Sequence, residues 1–435
     1  MLETETLYYK DRHMSRCQAE LLSLDVDQGS IYMVFDKTIF FPGGGGQAQD
    51  RGYILDPAGL KLEVCGFKES DKLIYHKVRL AKDSSDLLFK GNKETIMSDE
   101  CDYIRSNVSL GTKFDMVLDW DHRLDGMQQH TGQHVLSGVF YKLFSRNTLG
   151  LHIGKDVSQL DIVGEFDDEM VKRVERYANY VISRDMLVDN YVLDKEQVAE
   201  THTRRPLPNT SGDIRILKID DLDINACCGV HCNTTGMLRL IKIKKYYRHK
   251  GNTRFEYLAG ARAISYLLDR DDYFSQILLK YDTNEVNILK ALGNLESKKD
   301  DFAERNKILL DYYLETKSKK LLDGAIENSK GILVVKEQLE EEDWMVEALA
   351  KYMTNRHKVI VILASLSQSS ARVFLQIDKK LAKENSIKLA SVFKEYASLA
   401  GIKGGGSDFM AQGQVLDKKN VDKFIDKIYS IYIGL

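Results

Sequence analysis

Two histidines and a distant cysteine–histidine turn are the residues of this sequence that could do metal chemistry. His130 and His134 are four positions apart in LDGMQQHTGQHVLSGVFYKLF, residues 124–144. Apolar residues recur in this stretch at the spacing of a helix with one buried stripe, so both imidazoles should share a helix face. Cys227 and His231 follow far downstream in ACCGVHC. Because zinc prefers imidazole and thiolate ligands, these four residues together predict a zinc site.

Other interpretations of the histidine pair are weaker. A single pair at this spacing is more often two polar residues on a helix face, and the downstream cluster is what favours a metal. The motif is not that of a zincin protease, because Thr131 stands where the glutamate base would follow the first histidine. Four protein ligands would make the zinc structural, whereas three would leave a position for water, and both alternatives stay open.

Composition narrows the class of protein. The chain has 435 residues and a formal net charge of −3, which predicts several domains and gives no global signal for nucleic acid. Any RNA partner must therefore meet local basic patches. The six cysteines do not form a spaced disulfide framework, and there is neither an apolar signal region nor a stretch of ~18 apolar residues. We expect a soluble, cytoplasmic protein that does not contact a membrane.

A glycine-rich segment lies within the strand-like residues 1–93. Four consecutive glycines, Gly43–Gly46, precede Gln47 in FFPGGGGQ. Glycine lets the backbone approach a ligand closely, but the Lys-Ser/Thr of a P-loop is missing. A flexible hairpin loop is the alternative, and Gln47 favours a loop that presents a polar side chain to a substrate.

The remaining chain divides by its patterns into three segments. Residues 94–264 mix helix and strand around the metal motif. Residues 265–325 predict a long helix or helical hairpin, whose apolar face over 277–313 indicates a homodimer or a spacer, with intramolecular packing as the alternative. Residues 326–435 have the order β-α-β-β-α-β-α of a compact α/β domain, with a glycine loop before its last helix.

Three short segments could meet RNA phosphates, although solvated surface is the alternative for each. Arg204 and Arg205 lie in THTRRPL, and residues 242–250, KIKKYYRHK, combine charge with aromatic rings. In the C-terminal glycine loop, backbone amides beside Lys403 could receive a phosphate. The glycines of that loop are Gly404, Gly405 and Gly406.

Taken together, these motifs resemble the AlaX family, trans-editing proteins related to the editing domain of alanyl-tRNA synthetase, in a long form. The family's HxxxH corresponds to residues 130–134, its Cys-Gly-Gly-Thr-His turn to 227–231, and its glycine-rich segment to 40–47. GGGSDFMAQG resembles the glycine loop of a DHH-associated domain. Cys228 and Val230 depart from the family's glycine and threonine, but no ligand type is lost.

The resemblance implies hydrolysis of the ester that joins a wrong amino acid, mainly serine and with glycine as a further candidate, to alanine tRNA. It implies an α+β protein with an N-terminal β-barrel-like domain, a zinc-binding editing domain, a helical segment and a C-terminal DHH-associated domain. The implied zinc ligands are His130, His134, Cys227 and His231. The implied catalytic residues are Gln47 and Gln133; Thr38, Gly45 and Gly46 would bind substrate, and Arg204, Arg205, Lys403, Gly404, Gly405 and Gly406 would bind tRNA.

Thr38 is the candidate reader of the serine hydroxyl, with an ordinary strand threonine as the alternative. A pocket for alanine rejects serine only ~10²-fold, whereas a site that hydrogen-bonds the hydroxyl can discriminate by ~10⁴–10⁵-fold. Two other classes of function compete with editing. One is a non-catalytic zinc-containing tRNA-binding module. The other is a manganese phosphoesterase of the DHH class, which the sequence disfavours because Arg123 follows Asp121-His122.

Overall fold

The computed structural model describes residues 3–82, 93–194, 197, 201, 203–207, 214–366, 371–398 and 400–435, with the backbone alone for 93–99. The chain divides into two compact units, Met1–Ile277 and Leu278–Leu435. Several sheets combine with helices, which confirms the α+β class. No helix among the described residues is long and apolar enough to cross a lipid bilayer. All six cysteines are free thiols.

The first unit begins with a closed barrel of six strands. Strand β1 (Glu5–Thr6) leads into helix α1 (Leu7–Lys10). The barrel strands are β2 (Arg16–Asp27), β3 (Ser30–Phe35), β5 (Gly52–Leu55), β6 (Lys61–Ser70), β7 (Leu73–Leu80) and β8 (Lys113–Leu118), and β4 (Lys37–Thr38) pairs with β1. Their order around the barrel is β2-β3-β7-β6-β5-β8. Every second residue of β7 is buried and those between are mostly half-buried, because one face of each strand fills the interior.

Two further sheets and several helices complete the first unit. The helices are α2 (Lys93–Asn107), α3 (Trp120–Phe144), α4 (Asp168–Ser183) and α5 (Ala261–Lys280). The strands are β9 (Thr148–Ile153), β10 (Ser158–Ile162), β11 (Val188–Leu193), β12 (Ile214–Ile219), β13 (Asp223–Ala226), β14 (Ile241–His249) and β15 (Asn252–Ala259). One sheet has the order β14-β15-β10-β9 and the other β11-β12-β13.

Helix α3 lies at the centre of this unit. The helix itself is confirmed, but its single buried stripe is wrong, since every residue from Met127 to Phe140 is buried. Close approach explains the burial: a Cβ on Gly132 would lie 2.9 Å from the Cβ of Ala259. Some polar groups on the same helix are satisfied by backbone, as Gln129 Nε2 donates to the Ala259 carbonyl at 2.8 Å. A helix that is buried all round can carry polar site residues on any face.

The second unit is built on one six-stranded mixed sheet. Its helices are α6 (Ile288–Asp323), α7 (Asp343–Thr354), α8 (Lys379–Glu384), α9 (Leu389–Ala397) and α10 (Val421–Ile433). Its strands are β16 (Ile326–Glu327), β17 (Leu333–Leu339), β18 (Val359–Ser365), β19 (Arg372–Ile377), β20 (Ile402–Ser407) and β21 (Met410–Val415), in the order β16-β17-β18-β19-β21-β20. Every residue of β18 is buried, as expected for an inner strand covered on both faces.

The structure corrects one element of the second unit. Gly404–Gly406, predicted as a loop, belong to edge strand β20, where Gly404 pairs with Gly413 and Gly406 with Ala411 of β21. Glycine is required there by space, since a Cβ on Gly404 would lie 2.0 Å from the Gln412 carbonyl oxygen. The backbone amides that were predicted to receive a phosphate therefore belong to a β-hairpin formed by β20 and β21.

Candidate metal centre and its cavity

The four predicted ligands converge at one point. His130 and His134 come from α3, and Cys227 and His231 come from the turn that follows β13. One ligand atom from each lies within 4.8 Å of all the others. Cys227 Sγ is 3.4 Å from His130 Nε2 and 3.4 Å from His231 Nε2. Two segments separated by more than ninety residues thus form one cluster that could hold a metal ion.

Gln47 fixes the orientation of His130. The Gln47 carboxamide oxygen accepts the Val230 N–H at 2.9 Å, and it lies 3.2 Å from His130 Nδ1. Because this oxygen can only accept, His130 Nδ1 must carry the proton. The other nitrogen, Nε2, is directed at Cys227 Sγ, 3.4 Å away.

Asp223 does the same for His134. The Asp223 carboxylate lies 2.8 Å from His134 Nδ1, and both side chains are buried. His134 Nε2 is buried and has no hydrogen-bond partner among the described residues. A buried nitrogen without a partner costs free energy unless something binds it, and a metal ion beside Cys227 would do so.

The charges of the cluster also suit a metal. Burial alone would raise the pKa of the Cys227 thiol, but His130, His231 and His134 hold it well below its usual value. Burial opposes protonation of His134, yet Cys227 and Asp223 raise its pKa to about 9. Burial lowers the pKa of His231 to about 3. A cysteine held as thiolate is the form that binds zinc-type metals, and a metal would take the place of the proton that the pKa of His134 favours.

The ligand turn needs a glycine because His130 packs against it. A Cβ on Gly229 would lie 2.4 Å from both Cε1 and Nδ1 of His130. Arg215 donates to the Gly229 carbonyl at 2.5 Å, and the Tyr9 hydroxyl donates to the Cys228 carbonyl at 2.5 Å. The Arg215 guanidinium also lies over the Tyr9 ring, 3.9 Å from its centroid. Helix α1 and β12 therefore hold the turn from outside.

A cavity of about 410 Å³ opens beside the cluster, within the usual range for small-ligand sites. The residues that line it include three of the predicted ligands, several arginines and one glycine of the first glycine segment. They are Gly45, His130, Gln133, His134, Leu151, Arg204, Arg205, Ile214, Arg215, Asn225, Ala226, Cys227 and Cys228. Predicted substrate and metal residues thus share one wall.

The first glycine segment reaches this cavity as a tight turn. Gly44 and Gln47 exchange backbone hydrogen bonds of 3.1 and 3.0 Å. Gly45 lines the cavity, whereas Gly46 packs under Leu151, whose side chain would meet an added Cβ at 3.3 Å. After the turn, Asp50 accepts the Phe41 N–H at 2.6 Å and forms a buried ion pair with Arg123 of α3.

Comparison with known proteins places the chain among tRNA-editing relatives. The family described as threonyl and alanyl tRNA synthetase second additional domain matches residues 214–256. The alanyl-tRNA editing protein AlaX-L of Pyrococcus horikoshii is 27% identical over 426 residues, which cover 94% of this chain and 94% of that protein. The chain is a relative of the alanyl-tRNA editing proteins. The resemblance to the AlaX family is confirmed.

Alanyl-tRNA synthetases match the AlaX-related chain as well, but only in part of their length. The alanine–tRNA ligase of Pyrococcus abyssi is 27% identical over 99% of this chain and 44% of the ligase. The chain therefore spans less than half of the ligases it matches. Among solved structures, the C-Ala domain of Aquifex aeolicus alanyl-tRNA synthetase covers 25% of this chain at 18% identity, with a TM-score of 0.22.

Thr38, the predicted reader of the serine hydroxyl, lies in the interior of the protein. It is completely buried and does not line the cavity. Its hydroxyl lies 2.7 Å from His76 Nε2 and accepts the Phe40 N–H at 3.1 Å. Burial lowers the pKa of His76 to about 4, so the ring is neutral. The contact of Thr38 with the serine hydroxyl therefore stays a prediction, and the contacts described here are with His76 and Phe40.

The residues predicted to bind tRNA occupy different environments. The Arg204 side chain is only 4% exposed and pairs with Asp223 at 2.7 Å, whereas Arg205 is exposed and lines the cavity. Lys403 and the three glycines after it are exposed on β20. Lysines of the 242–250 segment form ion pairs, for example Lys242 with Glu175 at 2.7 Å. Of the predicted tRNA-binding cations, Arg205 and Lys403 have exposed side chains, whereas Arg204 is buried in an ion pair.

Sequence reasoning missed the residues that support the ligands. Asp223 and Asn225 lie on β13, and Arg215 and Tyr9 hold the ligand turn. Arg215 contacts Gly229 across 14 positions of sequence, and Tyr9 contacts Cys228 across 219. Asp223 contacts His134 across 89 positions. Asp223 stands four positions before Cys227, and this spacing is not a known metal-site pattern that would have identified it.

Proposed function

We propose that this chain is a zinc-dependent deacylase that acts in trans on mischarged Ser-tRNA(Ala), with Gly-tRNA(Ala) as a further substrate. The observation that carries the proposal is the cluster of three imidazoles and one thiol, of which His130, His134 and Cys227 line a cavity together with Gly45 and Gln133. The name of the P. horikoshii relative and the match to a synthetase additional domain support the same reaction.

Zinc fits the donor set of this chain. His130, His134, Cys227 and His231 would hold it, and the unpartnered His134 Nε2 is the nitrogen that most needs a ligand. When bound, zinc supplies a Lewis acid beside the ester or, with an open position, a water of lowered pKa. Manganese, by contrast, prefers carboxylate oxygens. Within the described ranges, this cluster of His and Cys residues is the only group of three or more His, Cys, Asp or Glu side chains that could hold a metal ion. Its ligand types suit zinc better than the manganese of the phosphoesterase.

Gln133 is the residue we assign to the substrate side. It lines the cavity, and its Nε2 donates to Ser137 Oγ at 2.8 Å. That bond fixes the carboxamide and allows its oxygen to accept from the serine hydroxyl or from the attacking water. Gln47, whose oxygen is engaged by His130 and Val230, supports the metal ligand instead of activating water. Gly45 gives the aminoacyl group room beside the ligands.

Contacts with tRNA are assigned to exposed cations. Arg205 at the cavity would meet the phosphates of the acceptor end, and Lys403 with Gly404–Gly406 would meet the tRNA elsewhere. We interpret the second unit's sheet as the DHH-associated domain and retain the four segments 1–93, 94–264, 265–325 and 326–435 as functional divisions. The cytoplasm is the proposed location, since mischarged tRNA is the substrate.

A homodimer through α6 belongs to the same proposal. Leu295, Phe302 and Leu309 are 50%, 61% and 65% exposed and recur every seven residues. This is the period of a helix seam that packs against another helix. A second copy of the chain would bury these side chains.

Deacylation assays test the proposed reaction. Purified protein is mixed with Ser-tRNA(Ala), Gly-tRNA(Ala), Ala-tRNA(Ala) and Ser-tRNA(Ser), and loss of each ester is followed. We expect rapid loss of serine and also loss of glycine from alanine tRNA, with Ala-tRNA(Ala) and Ser-tRNA(Ser) left intact. His134→Ala should abolish it, and His357→Ala, which changes an exposed histidine of the second unit, should not. tRNA binding without hydrolysis of any ester would replace the enzyme with the non-catalytic binding module.

A further inference from the structure

The carboxylate of Asp223 is the meeting point of a buried polar network. It is 2% exposed. One oxygen lies 2.8 Å from His134 Nδ1, and the other accepts Arg204 Nε at 2.7 Å. Asn225 Nδ2 donates to that second oxygen as well. An unpaired carboxylate would be costly here, so these three donors together make the position of Asp223 stable.

We propose that Asp223 is a positioning residue that acts through His134, and that Arg204 serves to hold Asp223. A carboxylate is an acceptor, so it keeps the proton of His134 on Nδ1 and leaves Nε2 free to face Cys227 and His231. The guanidinium of Arg204 binds Asp223. In this proposal Arg204 therefore supports the metal centre in place of contacting tRNA. The inference rests on the metal part of the proposed function, but it needs no tRNA.

The three histidines differ in what supports their second nitrogen. His130 Nδ1 has the neutral oxygen of Gln47 at 3.2 Å, and His134 Nδ1 has the anionic Asp223 at 2.8 Å. His231 Nδ1 is buried with no partner among the residues that the structure describes. Hydrogen bonds to an ionised group are stronger than neutral ones. Asp223 is therefore the support whose loss should affect the metal centre most.

The network also extends to the substrate side of the cavity. Arg204 Nη1 lies 3.4 Å from Thr148 Oγ1, and Thr148 donates to Ser137 Oγ at 2.7 Å. Ser137 Oγ in turn accepts from Gln133 Nε2 at 2.8 Å. A continuous chain of polar contacts thus joins the cavity-lining amide to the carboxylate behind His134.

Metal binding by the full-length protein without tRNA tests the assignment. Zinc affinity is measured by competition with a chromophoric chelator, and the visible absorption of the Co²⁺-substituted protein reports ligand geometry. Asp223→Asn should weaken zinc binding by about 10- to 100-fold and alter the Co²⁺ spectrum, the usual effect of removing an outer partner of a metal ligand. Arg204→Lys should cause a smaller change in the same direction.

Asp161→Asn is the matched control, because it breaks another Asp–Arg pair, with Arg254 at 2.7 Å on neighbouring strands. It should leave zinc affinity and the spectrum unchanged. If Asp223→Asn fails to fold, Arg204→Lys carries the test by itself. Unchanged zinc affinity and spectrum in folded Asp223→Asn would overturn the inference alone. A wild-type protein that binds no zinc would overturn it together with the metal in the proposed function.

Discussion

Two glycine runs of this chain have nearly the same composition and opposite structures. Gly43–Gly46 form a turn in which all four residues have positive φ, from 60° to 137°. Gly404–Gly406 form a regular edge strand that pairs residue by residue with β21, and none of them has positive φ. The first run needs glycine for backbone conformation, whereas the second needs it for space.

The two glycine runs also differ in their surroundings, which decides what part of the protein each can affect. The first turn is enclosed by the ligand segment, since added Cβ atoms on Gly44 and Gly45 would lie 3.5 and 3.3 Å from Cys228 Sγ. Residues 404–406 are exposed. A change in the first run should therefore reach the metal centre, and a change in the second should affect the stability or the partners of the second unit only. Four alanine substitutions test this contrast.

Gly404→Ala should have the largest effect on stability. Its Cβ would lie 2.0 Å from the Gln412 carbonyl oxygen and 2.4 Å from the Gly413 Cα, so backbone atoms must move. We expect the free energy of unfolding to fall by ~3 kcal/mol, the upper end for overpacking. Urea unfolding measures the loss, and zinc affinity should be unchanged. Wild-type stability would show that space is not the reason for glycine at this position.

Gly44→Ala should follow with ~2 kcal/mol of destabilisation, within the range for a strained backbone residue. Its φ of +137° is a conformation that side chains other than hydrogen rarely adopt. Space is not limiting, because the nearest atom to the added Cβ, Cys228 Sγ, is 3.5 Å away. Thermal unfolding checks the value. Stability equal to wild type would mean that the turn can change conformation without cost.

Gly45→Ala should cost only ~1 kcal/mol of stability, as alanine tolerates the left-handed φ of +60° better. Its Cβ, however, would lie 3.3 Å from Cys228 Sγ and 3.4 Å from His130 Cε1, within the cavity wall. Deacylation of Ser-tRNA(Ala) should therefore fall at least ~10-fold, about 1.4 kcal/mol in the activation barrier. Activity equal to wild type would separate this turn from the site.

Gly405→Ala should have the smallest effect and the opposite sign. Apart from its chain neighbours, no atom of the described residues lies within 4 Å of its added Cβ, and its φ is not positive. Because glycine in a strand interior is less stable than alanine, we expect a gain of ~0.5 kcal/mol. Urea unfolding measures it against Gly404→Ala as the neighbouring control. A loss as large as that of Gly404→Ala would remove the distinction between the two positions.

The sequence by itself determined the four candidate metal ligands and most of the elements that carry them. His130 and His134 are related by local helix geometry, and Cys227 and His231 by a short turn, so spacing alone could group each pair. The motifs also indicated the relationship to AlaX proteins. The α+β class and the helix at residues 124–144 followed from periodicity, which depends on neighbours a few positions apart.

Only the tertiary structure decided which polar groups support the ligands and what each glycine run does. Asp223 meets His134 across 89 positions, and the hydroxyl of Thr38 meets His76 across 38. Such contacts depend on strand order and register, which short-range patterns do not encode. The same holds for Gly404, whose need for glycine arises from the carbonyl of its partner strand. Local spacing therefore found the ligands, and packing between distant segments assigned the roles around them.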